Sequence, residues 1–223
     1  MARTATARAG EPAQRLRKGA AARKPRALRQ AERREKILAA ALEEFSARGF
    51  AATRLDDVAE RASVAKGTIY LYFRDKEALF QELVRSVISP LIARFEASAE
   101  IDLPARVVAE RIVDMFVREV YGTRRKDVIR LIIAEGPRFP KLAEFYYREV
   151  IARITAALSA QMARAVERGE LAHDALARFP QLLMAPALVA VVWSSLFERF
   201  APLDVRALLH AHIDLVFGKR TAP

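Results

Sequence analysis

The chain of 223 residues contains no cysteine. Disulfides, thiolate metal sites and cysteine nucleophiles are thereby excluded. Three histidines leave few metal ligands or general bases. His210 and His212 stand two apart in a helical pattern, about 200° around its axis, and cannot share one metal. His210 and Asp214 share a face and read as a surface pair. Eight glycines are few for a phosphate-cradling loop or a turn-dense β fold. G-x-S-x-G, P-loop and H-E-x-x-H patterns are missing. The sequence therefore points away from an enzyme and calls for no cofactor. The N-terminus shows no apolar segment of the secretory type. The long uncharged run at 179–197 is interrupted by Pro180, Gln181, Pro186, Ser194 and Ser195. It reads as a buried helix rather than a membrane span, and a cytoplasmic location is expected.

Positive charge is abundant. The formal net charge is +11, and residues 1–30 carry seven Arg, two Lys and one Glu, or +8 of that total. This favours a polyanionic partner. Because the excess sits in the tail, it does not by itself define a folded DNA-binding surface. Arg outnumbers Lys by 30 to 8, a ratio that genome-wide composition bias can also produce. The composition is 52% hydrophobic and 29% charged, as in a globular protein.

The pattern after the tail is helical throughout. Residues 1–30 read as a basic, flexible arm, 31–78 as a small helical domain and 79–223 as a second, larger one. Ile37, Leu38, Ala41, Leu42 and Phe45 make one stripe on a helix from Ala31 to Arg48, closed by Gly49. Thr53 followed by Asp56 predicts a capping box, with Leu55, Val58, Ala59 and Ala62 facing inward behind it. A break at Ser63-Val64 precedes a new phase, Ile69, Tyr72 and Phe73. Asp75 can then cap a longer helix, with Glu77 in its first turn. In the remainder, Pro104 starts a helix to Tyr121, and Arg125 to Glu135 forms another. A long one runs from Pro140 to Arg168, and the apolar run is followed by a last helix after Asp204. The expected fold is all-α with about nine helices.

Two short helices joined by a tight turn form a helix-turn-helix, whose second helix enters the DNA major groove. Here that helix spans Lys66 to Tyr72. Lys66, Thr68, Tyr70 and Leu71 should face outward, while Ile69 and Phe73 serve the core. Gly67 lets the backbone approach DNA. Thr68 suits a phosphate or base edge, and Leu71 suits a thymine methyl. Tyr70 and Tyr72 suit phosphate oxygens, as does Lys76 at the next helix start, and Arg54 precedes the helix that crosses the backbone.

Residues 35–81, EKILAAALEEFSARGFAATRLDDVAERASVAKGTIYLYFRDKEALFQ, resemble the DNA-binding domain of TetR-family transcriptional regulators. The likeness rests on the ILxAAxxxFxxxGF helix, on Thr53 and Val58-Ala59, and on Lys66-Gly67-Thr68-Ile69-Tyr70-x-Tyr72-Phe73 with Lys76. The family usually carries Gly-Val-Ser at the turn, whereas this chain has Ser63-Val64-Ala65. Loss of the Ser cap weakens the helix start by about 0.5–2 kcal/mol. Residues 130–150 are similar to the C-terminal domains of an AcrR-like subset. The resemblance implies an all-α homodimer with an N-terminal three-helix DNA-binding domain and a C-terminal ligand-binding and dimerisation domain. It also implies a small-molecule effector, apolar or amphipathic, that releases a palindromic double-stranded DNA operator.

On that reading Phe95, Phe116, Phe139, Tyr146 and Trp193 are candidate ligand-lining residues, with Arg130 as a polar anchor. Leu188, Val192, Leu196, Leu209 and Ile213 are candidate dimer-interface residues. An all-round apolar helix at 182–197 must be buried, and an isologous four-helix interface would bury it. The main alternative is a sequence-independent architectural DNA-binding protein driven by the basic tail. A membrane-surface role for the same tail is a weaker one.

Overall fold

A computed structural model describes residues 26–100 and 103–218. The bulk of the expected basic arm, residues 1–25, lies outside the described residues. Among the described residues all regular structure is helical. The α-helices are α1 (Arg26–Ala52), α2 (Leu55–Arg61), α3 (Lys66–Tyr70), α4 (Lys76–Val87), α5 (Ser89–Glu100) and α6 (Ala105–Met115), followed by α7 (Arg125–Glu135), α8 (Pro140–Tyr146), α9 (Ala152–Glu167), α10 (Ala175–Arg178), α11 (Gln181–Leu196) and α12 (Val205–Phe217). Helix α6 runs on into a π-helical stretch, Phe116–Tyr121. A second, Tyr147–Ile151, joins α8 to α9, so 140–167 is one continuous rod. The segments exceed the expected nine because π-helical turns divide two rods and the chain breaks at Ile88 and Phe179.

Helix α1 begins at Arg26, five residues before the expected start at Ala31. The sequence Arg-Ala-Leu-Arg-Gln-Ala-Glu is made of strong helix formers, and no breaker intervenes after Pro25. Its expected stripe is buried as predicted, from Ile37 to Phe45. Gly49 ends the regular part of the helix with φ 76° and ψ 167°, backbone angles that only glycine adopts readily. A Cβ at Gly49 would also collide with the Glu135 carboxylate of α7.

The predicted capping box shifts by one residue. Arg54, not Thr53, is the N-cap of α2, and its backbone N–H donates to the Asp57 carboxylate at 3.3 Å. The Thr53 hydroxyl turns back instead and donates to the Gly49 carbonyl at 2.8 Å. It thus closes α1 rather than opening α2, because the kink at Gly49 leaves that carbonyl without a helical partner. Asp75 behaves as predicted and accepts from the Ala78 N–H at 2.7 Å. Asp204 likewise caps α12, accepting from Ala207 at 2.9 Å.

One core crosses the boundary between the two halves. Phe45, Phe50, Val58, Ile69, Phe73 and Phe80 are continuous with Val128, Leu131, Leu142, Phe145 and Tyr146 of α7 and α8. Phe50 is the wedge, with its ring 5.4 Å from Phe45, 6.0 Å from Phe80 and 4.9 Å from Phe139. The helix-turn-helix is therefore not an independent three-helix unit but shares its interior with α7 and α8.

One expectation for the C-terminal helices changes. Leu209 and Ile213 are 3% exposed, and Leu209 packs with Ala190 and Val205 inside the chain, so neither offers an interface side chain. Helix α11 keeps apolar side chains uncovered within one chain, which is compatible with the expected interface. Leu188 is 50% and Leu196 58% exposed, while Ala190 and Val191 face inward. A helix apolar on every face has more apolar surface than its neighbours α12 and α7 can cover. No described helix is long and apolar enough to cross a membrane.

Replacing Gly49 with Ala should destabilise the fold by about 1–3 kcal/mol, from backbone strain and the collision with Glu135. Chemical denaturation of the two proteins checks this.

Candidate nucleic-acid interface

Helix α2 is followed by a four-residue turn. Ser63 carries φ 54°, and it is the sole non-glycine residue with positive φ among the described residues. The Ser63 N–H donates to Glu60 O at 3.0 Å and the Val64 N–H to Ala59 O at 3.0 Å, which reverses the chain. Serine thus occupies the backbone position for which glycine is the easiest residue. Ala65 is the N-cap of α3 and supplies no side-chain bond, as the missing Ser predicts. Single-turn bonds continue past Tyr70, from Tyr72 and Phe73 to Ile69 O at 3.0 and 2.9 Å, so the helical path reaches the predicted end at Tyr72.

Ile69 is fully buried and anchors α3 to the core. The opposite side is bare. Leu71 is 83% and Tyr70 54% exposed, Lys66 and Gly67 are exposed and Thr68 is half-buried. A Cβ at Gly67 would meet nothing, so no neighbour within the protein demands glycine there. Tyr72 is half-buried against the core, with its ring 6.3 Å from Phe73. Arg54 is exposed at the start of α2.

Asp56, read in the sequence as the capping-box acid, leaves that task to Asp57 and instead ties the two helices together. Its carboxylate lies 3.2 Å from Lys66 Nζ and accepts from the Tyr70 hydroxyl at 3.3 Å. Both interactions are exposed, so each is weak and readily exchanged. Behind α2, Arg61 Nε donates to the buried Glu44 carboxylate at 2.5 Å, and its Nη1 donates to Glu43 at 3.1 Å. These acceptors raise the Arg61 pKa above its ordinary value, Glu44 most of all.

Lys76 does not stand free at the start of α4. Its ammonium donates to Phe50 O and Ala51 O at 2.8 Å each and reaches Thr53 O at 3.5 Å. It also lies 4.8 Å from the centre of the Phe50 ring. These are the carbonyls stranded by the kink at Gly49, so Lys76 has a structural task that the sequence does not reveal.

A groove of about 630 Å³ opens beside the recognition helix. Thr68, Leu71 and Tyr72 form one wall, and Arg26, Arg29, Gln30, Ala31, Arg33 and Arg34 of α1 form the other. Composition alone assigns Arg26 and Arg29 to a flexible tail and misses this wall. The signal is present in the spacing of Arg26, Arg29 and Arg33 on one helical face.

Residues 37–83 match the description "Bacterial regulatory proteins, tetR family", and 106–211 match "AefR-like transcriptional repressor, C-terminal domain". The HTH-type transcriptional regulator UidR of Escherichia coli is 30% identical over 141 residues, which cover 63% of this chain and 70% of that protein. The chain belongs to the TetR family. The second match places the C-terminal half with AefR-like domains, a finer assignment than the AcrR-like resemblance read from residues 130–150. A shorter match, 38% identical over 73 residues, is to the uncharacterised regulator YhgD of Bacillus subtilis. It spans 33% of this chain and 38% of that protein. Among solved structures, FadR of Bacillus subtilis in complex with stearoyl-CoA superposes with a TM-score of 0.65 at 20% identity, covering 83% of this chain and 99% of that one. As a TetR-family member, the chain is a DNA-binding transcriptional regulator and not an enzyme.

The candidate ligand-lining residues are divided between clusters. Phe139 and Tyr146 pack in or against the main core, and burial pushes the Tyr146 phenol pKa up. Phe116 packs with Ala190, Val205 and Leu209, 6.5 Å from the Tyr121 ring. Phe95 is buried on α5. The Trp193 indole N–H donates to Ala201 O at 2.7 Å. Arg130 is exposed, 3.5 Å from Asp127.

Replacing Lys76 with Ala should lower stability by roughly 1.5–3 kcal/mol, the range for hydrogen bonds to a charged group. Thermal unfolding without DNA measures this. An unchanged midpoint would show that the three carbonyls do not depend on the ammonium.

Proposed function

We propose that the chain is a homodimeric repressor that occupies a palindromic operator through two recognition helices and leaves it when a small apolar or amphipathic molecule binds. The observation that carries the DNA reading is the exposed side of α3. Lys66, Gly67, Thr68, Tyr70 and Leu71 are presented on a helix whose other side is anchored by the fully buried Ile69. Thr68 and Leu71 suit base edges and a thymine methyl, and Lys66 can bond guanine once it leaves Asp56. Tyr70, Tyr72 and Arg54 suit phosphates. Lys76 contributes mainly by holding the end of α1, with a phosphate bond as a secondary role.

Dimerisation is supported by the apolar side chains that α11 leaves uncovered. Leu182, Leu188, Val189 and Leu196 are about half exposed, and Phe200 and Leu215 more so. With half-buried Val192 they make a surface suited to an isologous pairing of α11 and α12. Leu209 and Ile213 then support the interface from beneath. The effector is proposed to be an acyl chain or a similar amphiphile, by analogy with the stearoyl-CoA of the FadR complex.

Selection of duplexes from a random pool at near-physiological salt tests the operator reading. A palindrome is expected. Strong binding without enrichment would instead favour the architectural reading driven by the tail. Lys66→Ala and Thr68→Ala should each change the preferred bases, at a cost of about 1–3 kcal/mol for each base no longer read. An unaltered site profile in both would sink the placement of α3 in the groove.

A further inference from the structure

We propose that the first turns of α1 form a second DNA-binding element, in which Arg26, Arg29 and Arg33 grip the sugar–phosphate backbone alongside the bases read by α3. The inference rests on the operator-binding reading and deepens it. It starts from length. The first core residue of α1 is Ile37, so Arg26 projects about 16 Å beyond the core along the helix axis. Among the described residues nothing covers this overhang, since residues 26–31 are all exposed.

Charge is the second step. Arg26, Arg29 and Arg33 fall within about 60° of arc on one helical face. None of the three has an ion-pair partner among the described residues, whereas the neighbouring Arg34 is paired with Glu82 of α4. Like charges at this spacing repel one another, and cations at the positive end of a helix are disfavoured further. The first turn holds no acidic residue to offset them. Glu32 is the one acid among residues 26–33, so the row keeps a net positive charge that a polyanion would relieve.

Direction is the third. The same arginine face forms one wall of the 630 Å³ groove whose other wall is Thr68, Leu71 and Tyr72. A backbone lying in that groove would touch the arginines on one side and the exposed face of α3 on the other. Guanidinium groups suit phosphate oxygens because their paired N–H donors match them. The occupant is therefore duplex DNA rather than a free anion, since a three-residue row presented beside a recognition helix fits a run of phosphates.

The test is the salt dependence of binding by the full chain to a random-sequence duplex and to the selected operator, between roughly 50 and 200 mM salt. The triple variant R26Q/R29Q/R33Q keeps helix-forming residues and removes the charge. Its log Kd against log salt slope should be shallower by about 0.9 for each phosphate no longer neutralised, up to about 5 for a dimer, with equal effect on both duplexes. The ratio of operator to random affinity should hold. R26K/R29K/R33K should keep the wild-type slope. A slope change in the Gln variant smaller than that of a single phosphate would overturn the inference, as would an equal change in the Lys variant. Weakened binding to phosphatidylserine vesicles with an unchanged DNA slope would also overturn it and turn the groove toward a membrane. Absence of any operator preference in the wild-type chain would defeat the operator reading alone, because the random-duplex slope still reports the arginine row.

Discussion

The arrangement depends on how α1 is stopped. Gly49 turns the chain out of the helix, which strands the carbonyls of Phe50, Ala51 and Thr53, and the Lys76 ammonium gathers all three. Carbonyls at a helix end carry partial negative charge, so a cation is the suitable closure. The Thr53 hydroxyl closes the Gly49 carbonyl from the same side. Lys76 is also the first residue of α4, capped by its neighbour Asp75. One ammonium therefore joins the end of α1, the approach to α2 and the start of α4, and α3 hangs between them on Ile69. The orientation of the recognition helix is inherited from that joint.

The joint is coupled to the larger half of the chain. Phe50 sits between Phe45 and Phe80 on one side and Phe139 on the other, and Glu135 presses against Gly49. Glu43 accepts from Arg61 of α2 and from Arg124, which precedes α7, at 3.1 Å each. Exposed ion pairs of this kind contribute little stability singly. Their effect is positional, since together with the shared core they connect α7 to both α1 and α2. A ligand that prefers one placement of α7 would therefore bias the placement of the helix-turn-helix, which is the differential interaction that a conformational switch requires.

Much of the fold is legible in the sequence because local chemistry decides it. The stripe from Ile37 to Phe45, the glycine stop at 49 and the cap at Asp75 follow from periodicity and side-chain reach, and the structure places them as read. Ala65 likewise shows in advance that α3 starts without a side-chain cap. Errors arise where a residue has two possible partners. Thr53 can serve the helix before it or the one after, and the kink at Gly49 decides for the former. Lys76 looks like a phosphate ligand in the sequence because its role depends on three carbonyls more than twenty residues away. Leu209 and Ile213 show the same limit on α12. Periodicity says that they face something apolar, but not whether that surface belongs to the same chain.

The α1 overhang and α11 share a logic that helix periodicity alone does not expose. Each carries more of one surface type than the chain can satisfy internally: positive charge on the face of Arg26, Arg29 and Arg33, and apolar area on Leu188, Val189 and Leu196. A sequence optimised only for its own folding would place acids in the first turn of the first and polar residues on the outer side of the second. The interiors of both helices are satisfied, so the excess is confined to the sides that face away from the core. Unmet charge is relieved by a polyanion and unmet apolar area by a matching apolar face. On the proposed reading the two surfaces serve different partners, DNA at the first and a second copy of the chain at the second. If two such chains pair through α11, each brings its own arginine row, and the number of cations available to the backbone of one duplex doubles without any new residue.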